Sequence, residues 1–355
     1  MKWRLYDGDR AEEGGLVERV TDHGAALDEI LSNLDTQVVE AVGHRMVHGG
    51  VGFTAPTLID DTVVEAITDL IPLAPLHNPP NLAGVREARR LLPDTPQVAV
   101  FDTAFHRTIP AEHATYAIDA QLAAAHGVTR YGFHGTSHAY VSRRTAELLG
   151  KPVQDVNVIT LHLGNGASAC AVKGGKSIAT SMGLTPLEGL VMGSRSGDID
   201  PAIVFHLARE AKLSLDEIDS MLNNGSGLRG LCGDNDMREV IRRRDGGDAD
   251  AALAFDVYCA RVKSYVGAYY ALLGRLDAVT FTAGVGENSA VVRAGALCGL
   301  EALGIAIDKG ANESAERGPR RISPDGAAIS VCVVPTDEEL EIATQTAHLL
   351  AERAG

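Results

Sequence analysis

Several features that mark common protein classes are missing from this chain of 355 residues. Its five cysteines form no CxxC pair, and an odd count does not suit a disulfide framework, so we expect free thiols in a reducing compartment. No apolar run approaches the ~18–20 residues that a membrane span needs. The N-terminal MKWRLYDGDR also lacks the apolar core of a signal peptide. These absences predict a cytoplasmic protein without a membrane partner.

Positive charge and aromatic side chains are also scarce. The 32 Lys and Arg residues stand against 47 Asp and Glu residues, which gives a formal net charge of -15. This balance argues against a nucleic-acid partner, because nucleic acids need a basic face. Hydrophobic residues make up 45% of the chain, and its length exceeds the size at which one core stops growing, so we expect two domains. An anionic substrate must then be held by a few placed arginines or a metal.

Short apolar runs alternate with helical patterns in both halves of the chain, which predicts an α/β fold with two domains of related build. In the first half we predict strands over 2–6, 16–20, 38–47 and 97–101, helices over 25–34 and 62–71, and a proline-rich loop over 72–81. In the second half we predict strands over 157–163, 168–173, 177–181, 277–282 and 327–334, and helices over 201–211, 215–222, 251–273 and 338–353.

The stretch LHLGNGASACAV, residues 161–172, joins two apolar runs through Gly164-Asn165-Gly166. Glycines permit a positive φ and remove Cβ atoms, so backbone N–H groups can approach an anion closely. An ordinary hairpin turn explains the same letters. The stretch FTAGVGEN, residues 281–288, predicts a strand that ends in a glycine turn before a helix, where a flat adenine could lie on the backbone. A plain helix N-terminus is the alternative.

Three further patterns carry weaker signals. VKGGKS lacks the first glycine of a P-loop, and GVGENS ends in serine where a dinucleotide loop has glycine. The HxxxH pairs His44/His48 and His134/His138 have the spacing of zinc ligands on a helix. The first pair lies at a strand end, Gly135 interrupts the second, and no HExxH motif is present, so a zinc hydrolase is an unfavoured alternative.

Arg45 in VGHRMVHGG and Arg195 in VMGSRSGDID lie in apolar, glycine-rich surroundings. A buried guanidinium needs a partner, because an unpaired buried charge is costly. Each arginine could form a structural ion pair with an aspartate such as Asp102, Asp198 or Asp200. Two such arginines, with Asp102 at a strand end and His134 in a glycine-rich loop, instead indicate a site for a transferring anion.

Together these stretches resemble the acetate kinase family. GHRMVHGG, PLAPLHNPPN, VFDTAFH, RYGFHGTSH, LHLGNGAS, TSMGLTPLEGLVMGSRSGDIDP, FTAGVGEN and TDEELEIA occur in that family's order and rough spacing over almost the whole chain. The resemblance implies the acetate and sugar kinase/heat-shock cognate/actin superfold, with two domains of duplicated ribonuclease-H-like topology and a nucleotide cleft between them. It implies an acceptor-side domain over 1–103 plus 340–355, a nucleotide-binding domain over 104–339, and a homodimer.

The resemblance also implies reversible, Mg²⁺-dependent (or Mn²⁺-dependent) phosphoryl transfer from ATP to acetate, and it assigns roles by motif. The implied catalytic residues are Arg45, Asp102, His134 and Arg195. The implied acetate-binding residues are Arg45, Val47, Leu76, His77, Phe133 and Pro186. The implied ATP/ADP-binding residues are His162, Gly164, Asn165, Gly166, Asp236, Met237, Arg238, Gly284, Val285, Gly286 and Asn288. The implied metal site uses Glu338, with help from Asp102.

Physical chemistry agrees with these roles. Acetate is already ionised at neutral pH, so Asp102 is better understood as a residue that orients Arg45 or a metal-bound water than as a general base. The branched Val47 narrows the acyl pocket and favours acetate, although one methylene contributes only about 1–3 kcal/mol of discrimination. A kinase for propionate or another short-chain acid, and a catalytically inactive nucleotide-binding relative, remain alternatives.

The family's opening motif, a strand followed by N-x-G-S-S-S-x-K, has only its closing lysine here, at Lys2. That turn supplies phosphate contacts in the family. We therefore expect coding sequence upstream of residue 1 to encode the strand and turn, and we expect the 355-residue chain to have impaired activity without them.

Overall fold

The computed structural model describes residues 2–17, 23–32, 34, 36–74 and 77–354. The chain divides into two compact units. Unit 1 comprises Met1–Arg107, Phe133–Tyr140 and Asp337–Gly355, and unit 2 comprises Thr108–Gly132 and Val141–Thr336. The predicted domain boundaries after residue 103 and before residue 340 stay a prediction. Within the described ranges, no helix combines the length and apolar character that crossing a membrane requires.

The strands and helices of the two units are numbered in chain order. The strands are β1 Lys2–Asp7, β2 Arg10–Leu16, β3 Val42–Met46, β4 Thr57–Leu58, β5 Gln97–Phe101, β6 Asn157–Leu163, β7 Ala167–Lys173, β8 Lys176–Thr180, β9 Ala278–Thr282, β10 Arg320–Arg321 and β11 Ser330–Val333. The helices are α1 His23–Ser32, α2 Asp61–Asp69, α3 Asn78–Leu91, α4 Ala111–Ala114, α5 Ala120–Ala125, α6 Gly135–Leu148, α7 Ala202–Glu210, α8 Leu215–Asn224, α9 Gly227–Cys232, α10 Met237–Asp245, α11 Ala249–Leu273, α12 Ala283–Asn288, α13 Ala290–Leu297, α14 Lys309–Glu313 and α15 Glu338–Ala354.

Unit 1 is organised around β5, whose five residues are all buried. β5 pairs with β3 in parallel and with β4 antiparallel, and β1 and β2 form a separate antiparallel hairpin. One face of β5 contributes Ala99 and Phe101 to a core with Met46 and residues of α2 and α3. The other face packs Val98 and Val100 against Ile342 of α15. Burial on both faces fixes the C-terminal end of β5, where Asp102 follows.

Unit 2 contains a mixed sheet in the order β10-β11-β9-β6-β7-β8. The strands β6, β9 and β11 run in parallel, and β7 and β8 continue as an antiparallel meander. In the register of β6 and β9, His162 lies opposite Thr282. The turn that follows β6 and the helix α12 that follows β9 therefore leave the sheet at the same edge, where α/β proteins bind ligands.

The predicted proline-rich loop over 72–81 is wrong in its second half. The helix α3 begins at Asn78 and carries prolines at its first positions. A proline lacks an N–H group, but the first helical N–H groups have no intrahelical acceptor, so Pro79 and Pro80 are tolerated there. Ile71–Leu73 forms a 3-10 turn, and residues 75 and 76 lie outside the described ranges.

Other differences are local. The predicted strand over 16–20 is displaced, because β2 ends at Leu16 and pairs with β1 through a turn at Gly8 and Asp9. Residues 18–20 lie outside the described part. The strand predicted over 38–47 begins only at Val42. At 281–288 the helix α12 follows β9 directly, without an intervening glycine turn. The remaining predicted strands and helices are present with shifts at their ends, and the predicted α/β class is confirmed.

Candidate active site

Arg45 and Asp102 form a two-point ion pair in unit 1. Arg45 Nη2 lies 2.6 Å from Asp102 Oδ2, and Arg45 Nε lies 3.1 Å from Oδ1. Arg45 lies in β3 and Asp102 directly follows the adjacent parallel strand β5, so the carboxyl ends of these strands bring the two residues together. Asp102 is 1% exposed, whereas the Arg45 side chain keeps 41% of its surface exposed. The negative charge of Asp102 is the main reason that the pKa of Arg45 is raised, so this guanidinium is both fixed and charged.

Asp102 also fixes the start of α6, which follows His134. Gly135 N donates to the Asp102 backbone oxygen at 3.0 Å, and Thr136 Oγ1 donates to Asp102 Oδ1 at 3.2 Å. A Cβ atom on Gly135 would lie 2.1 Å from the Asp102 oxygen, so only glycine fits. His134 has a positive φ of 57°, a conformation that costs free energy outside glycine and is typical of functional sites. The predicted catalytic residues of unit 1 are thus held by one aspartate.

The predicted acyl-pocket residues lie in different parts of the chain. Val47 directly follows β3, and the buried Phe133 accepts a hydrogen bond at its backbone oxygen from His106 Nε2 at 3.0 Å. Burial lowers the pKa of His106 to about 4, although this hydrogen bond opposes the shift. His77 lies just before the first turn of α3. Leu76 lies outside the described residues, and Pro186 belongs to unit 2.

Glu338 begins α15 beside the same ion pair, with Oε2 3.9 Å from Arg45 Nη1. Burial raises the pKa of Glu338, while Arg45 opposes the shift and Asp102 reinforces it. No cluster of three His, Cys, Asp or Glu side chains suited to a metal occurs in the described ranges. Mg²⁺ commonly takes only one or two carboxylates and completes its shell with water and phosphate oxygens. The oxygen donors of Asp102 and Glu338 fit that pattern.

Arg195 in unit 2 has a different environment. Arg195 Nη1 donates to the Pro186 backbone oxygen at 3.2 Å and approaches Met192 Sδ at 3.7 Å. No carboxylate oxygen of a described residue lies within the 4.0 Å of an ion pair with Arg195. Burial lowers the pKa of Arg195, which means that the positive charge is poorly compensated. A guanidinium in this state is suited to binding an anion.

The loop that carries Pro186 is held by Arg130, a residue that the sequence analysis did not single out. Arg130 Nη1 donates to the backbone oxygens of residues 180, 181 and 182 at 3.2–3.3 Å. Arg130 Nη2 donates to Glu188 Oε1 at 2.6 Å, and the Tyr116 hydroxyl donates to the other oxygen of Glu188. Both ends of this loop are therefore fixed within unit 2.

A cavity of about 270 Å³ in unit 2 brings together residues from both predicted nucleotide segments. Its lining includes five predicted residues, namely Gly164, Asn165, Asp236, Met237 and Val285. It also includes four that the sequence analysis missed, namely Gly193, Leu228, Asn235 and Tyr258. A Cβ atom on Gly193 would lie 2.1 Å from Asn165 Oδ1, so the missing side chain leaves space for Asn165.

The Gly164-Asn165-Gly166 turn does not use the positive φ that its glycines permit, because neither glycine adopts one. The turn closes through a hydrogen bond from Gly164 N to Gly166 O at 3.0 Å, and a Cβ atom on Gly164 would lie 3.2 Å from that oxygen. Close packing of the backbone, and not its handedness, therefore favours glycine at position 164.

The other six predicted nucleotide residues do not line this cavity, but each lies within three positions in the chain of a residue that does. Arg238 Nε donates to Asp236, which caps α10, at 3.0 Å. Asn288 Nδ2 donates to the Gly284 backbone oxygen at 2.9 Å, so this side chain bonds within α12. His162 lies at the end of β6, and Gly286 is buried inside α12.

Arg293 holds α12 in place through hydrogen bonds to backbone oxygens of that helix. It is fully buried, and its Nη1 donates to the backbone oxygens of Gly286 and Glu287, both at 2.9 Å. Its Nε and Nη2 donate to the side-chain and backbone oxygens of Asn312 at 2.7 Å. Sequence inspection could not find Arg293, because its partners are carbonyl groups that only the fold brings near.

A larger cavity of about 580 Å³ lies in unit 1 along β4 and α3. Its lining includes Arg89 and Arg90, but Arg89 already pairs with Asp61 at 2.8 Å and Arg90 with Glu87 at 2.8 Å. None of the predicted site residues lines it. Size alone therefore does not identify the site.

Fixed arginines, a glycine-rich turn at a sheet edge and a cavity beside it define an α/β protein that handles phosphate groups. A profile of the Acetokinase family matches residues 4–344, and the chain belongs to that family. It is 61% identical over 352 residues to an acetate kinase of Streptomyces coelicolor, covering 97% of this chain and 86% of that protein.

Two solved structures are similar along most of the chain. The acetate kinase of Porphyromonas gingivalis superposes with a TM-score of 0.90 at 42% identity, covering 95% of this chain and 88% of that one. A propionate kinase of Francisella tularensis superposes with a TM-score of 0.86 at 45% identity, covering 91% and 83%. The predicted family and its superfold are therefore confirmed.

Proposed function

We propose that the chain is an acetate kinase, which reversibly transfers the γ-phosphoryl group of ATP to acetate and gives acetyl phosphate and ADP. The family match and the 61% identity to a protein of that name support the reaction class. The observation that carries the proposal is the Arg45–Asp102 pair. It leaves a charged guanidinium immobile but 41% exposed, as recognition of a carboxylate or phosphoryl group requires.

No base is needed for the attacking group. Acetate is a carboxylate at neutral pH, and one of its oxygens can attack the γ-phosphorus as the bond to the β–γ bridging oxygen breaks and ADP leaves. Both oxygens of Asp102 are already engaged by Arg45 and Thr136. We therefore assign Asp102 to orienting Arg45, and Arg45 to holding the acceptor carboxylate and the moving phosphoryl group.

Arg195 and His134 act on the phosphoryl group in this proposal. Arg195 has no carboxylate partner among the described residues, so an anionic phosphoryl group supplies the missing counter-charge. His134 donates a hydrogen bond to the phosphoryl oxygens in the transition state. Charge compensation of this type is the main contribution that proteins make to phosphoryl transfer.

The nucleotide is assigned to unit 2. Gly164, Asn165 and Gly166, with His162, hold the β- and γ-phosphates, and the cavity that Asn165 lines supports this assignment. The adenosine is held by Asp236, Met237, Arg238, Gly284, Val285, Gly286 and Asn288. Glu338, with help from Asp102, would hold Mg²⁺ (or Mn²⁺) or its waters, and the bound ion would neutralise charge on the phosphates.

The acyl group is assigned to Val47, Leu76, His77, Phe133 and Pro186, as the family resemblance implies. A branched residue at position 47 would narrow the space for the acyl group, so we propose acetate over propionate. The similarity to a protein named propionate kinase keeps the longer acid as the second candidate. A wider space around the acyl group would accept propionate.

We also propose a homodimer. The helix α7 buries none of its residues within the chain, although its sequence AIVFHLARE is largely apolar. Phe205 on α7 is 59% exposed and Ile203 is 40% exposed. A second copy of the chain could cover this surface, since exposed apolar residues commonly mark association sites. Sedimentation of a Phe205→Glu variant tests it, with loss of a dimer expected.

The experiment that tests the proposed reaction is a panel of acetate, propionate and butyrate with MgATP, with each acyl phosphate trapped as its hydroxamate. The highest kcat/KM is expected for acetate. A higher value for propionate would assign the chain to the second candidate, and ADP binding without any acyl phosphate would identify an inactive nucleotide-binding relative.

A further inference from the structure

A tyrosine that lines the cavity in unit 2 has a buried hydroxyl group without a hydrogen-bond partner among the described residues. Tyr258 on α11 lines the cavity together with Asn165, Asp236 and Met237. Its side chain is 1% exposed, and its hydroxyl oxygen makes no hydrogen bond to any described residue. Tyr265, roughly two turns further along the same helix, instead donates to Asp198 Oδ2 at 2.8 Å.

A buried hydroxyl group without a partner is unfavourable, and most buried polar groups in native proteins have one. Burial also raises the pKa of Tyr258, so the phenol stays neutral and can both donate and accept a hydrogen bond. Because this side chain lines a cavity, a bound ligand could supply the hydrogen-bond partner that the hydroxyl group lacks. Binding sites are commonly apolar, with a few placed polar groups that fix the ligand's orientation.

We infer that the Tyr258 hydroxyl hydrogen-bonds to the bound adenine nucleotide and contributes to its recognition. The inference rests on the proposed function, in which this cavity holds the nucleotide. The cavity wall combines apolar side chains at Leu228, Met237 and Val285 with polar ones at Asn165 and Asn235. An apolar wall suits a flat purine, and a single neutral hydroxyl group within it suits a polar atom of the base or the sugar.

The test is the substitution Tyr258→Phe, which removes one oxygen and keeps the ring. Titration calorimetry with ADP is expected to show about 5–10-fold weaker binding, the effect of one neutral hydrogen bond. The KM for ATP is expected to rise by a similar factor, with little change in kcat or in the KM for acetate. The melting temperature of the free protein is expected to be unchanged or higher, because no intramolecular hydrogen bond is removed.

Tyr265→Phe on the same helix is the matched control. It removes the hydroxyl group that donates to Asp198, so it is expected to lower the melting temperature and leave ADP affinity unchanged. Tyr258→Met, which fills the space with a flexible apolar side chain, provides a second variant if the phenylalanine variant does not fold. Equal ADP affinity in Tyr258→Phe and the parent protein would overturn the inference.

Nucleotide analogues locate the partner atom. The parent and Tyr258→Phe proteins are each titrated with ADP, IDP and 2′-deoxy-ADP. The analogue that binds both proteins equally well lacks the group that Tyr258 contacts. The parent protein also separates this inference from the proposed function. If it forms acetyl phosphate but Tyr258→Phe binds ADP normally, only the inference fails; if it neither binds ADP nor forms acetyl phosphate, the proposed function fails.

Discussion

Arg45 and Asp102, which are 57 residues apart in the chain, meet through three hydrogen bonds at the ends of two parallel strands. Asp102 is buried and Arg45 is partly open, so the pair holds one guanidinium face towards solvent. An arginine that is fixed before a ligand arrives loses less conformational freedom on binding than a mobile one. The following predictions begin from this relationship.

Asp102→Asn should lower kcat/KM for acetate by about 10², because Arg45 loses its counter-charge and its two-point orientation. Stability should also fall, since the substitution leaves a partly buried guanidinium without its partner. Initial rates and thermal melts give both quantities. Asp61→Asn is the matched control, because its ion pair with Arg89 is exposed and should matter little. Unchanged kinetics in Asp102→Asn would show that Asp102 does not support catalysis.

Arg195→Gln should lower kcat by about 10²–10³ and leave the melting temperature nearly unchanged. The reason is that no described carboxylate pairs with Arg195, so its charge contributes to ligand binding and not to folding. Steady-state kinetics and calorimetry separate the two effects. A large loss of stability with normal kcat would show that Arg195 has a structural role instead.

Arg293→Met should lower stability by about 3–5 kcal/mol and weaken ADP binding several-fold. It removes four hydrogen bonds from buried carbonyl oxygens and frees the end of α12. Burial lowers the pKa of Arg293 to about 10, so it remains charged at neutral pH. Denaturant unfolding and ADP titration measure the effects, with the exposed Arg10→Met on β2 as control. Normal ADP affinity in a folded variant would exclude a positioning role.

His106 should make stability depend on pH. Burial lowers its pKa from 6.5 to about 4 in the folded protein, so between these values the unfolded chain binds more protons. The free energy of unfolding should therefore decrease as the pH falls from 6.5 towards 4, by on the order of 3 kcal/mol from this group. His106→Gln should lack this part of the slope, while the exposed His126→Gln should keep it. Parallel slopes for the parent and His106→Gln would contradict the prediction.

Val47→Ala should raise kcat/KM for propionate relative to acetate by about 10-fold, since it removes two methyl groups from the proposed acyl pocket. The ratio of the two values cancels any general loss of activity. Val51→Ala, at an exposed position nearby in the chain, should leave the ratio unchanged. No change in the ratio for Val47→Ala would place the acyl group elsewhere.

The sequence predicted the features that short patterns encode. Long buried runs such as QVAVF at 97–101 and NVITLHL at 157–163 became central strands, and Asp102 falls directly after the first of them. The sequence places a turn at Gly164-Asn165-Gly166 between two apolar runs, and in the structure this turn joins two antiparallel strands. Local apolar patterning and turn residues were sufficient there.

Features that depend on contacts between residues far apart in the chain could not be predicted from the sequence. The prolines after Asn78 predicted a loop, but tertiary packing of Leu82 and Val85 continues the segment as a helix. Arg130, Arg293 and Tyr258 carry no motif, and their importance comes from backbone oxygens or a cavity that the fold assembles. Roles for single residues of the site stay predictions until they are tested by substitution.

The most direct test of the proposed reaction uses ¹⁸O-labelled acetate with MgATP, followed by ³¹P NMR of the products. Direct attack by acetate predicts acetyl phosphate whose bridging oxygen carries the label, formed in step with ADP, and a rate that falls at least 10²-fold in Arg195→Gln. Release of unlabelled inorganic phosphate and ADP, with no acetyl phosphate, would contradict phosphoryl transfer to acetate.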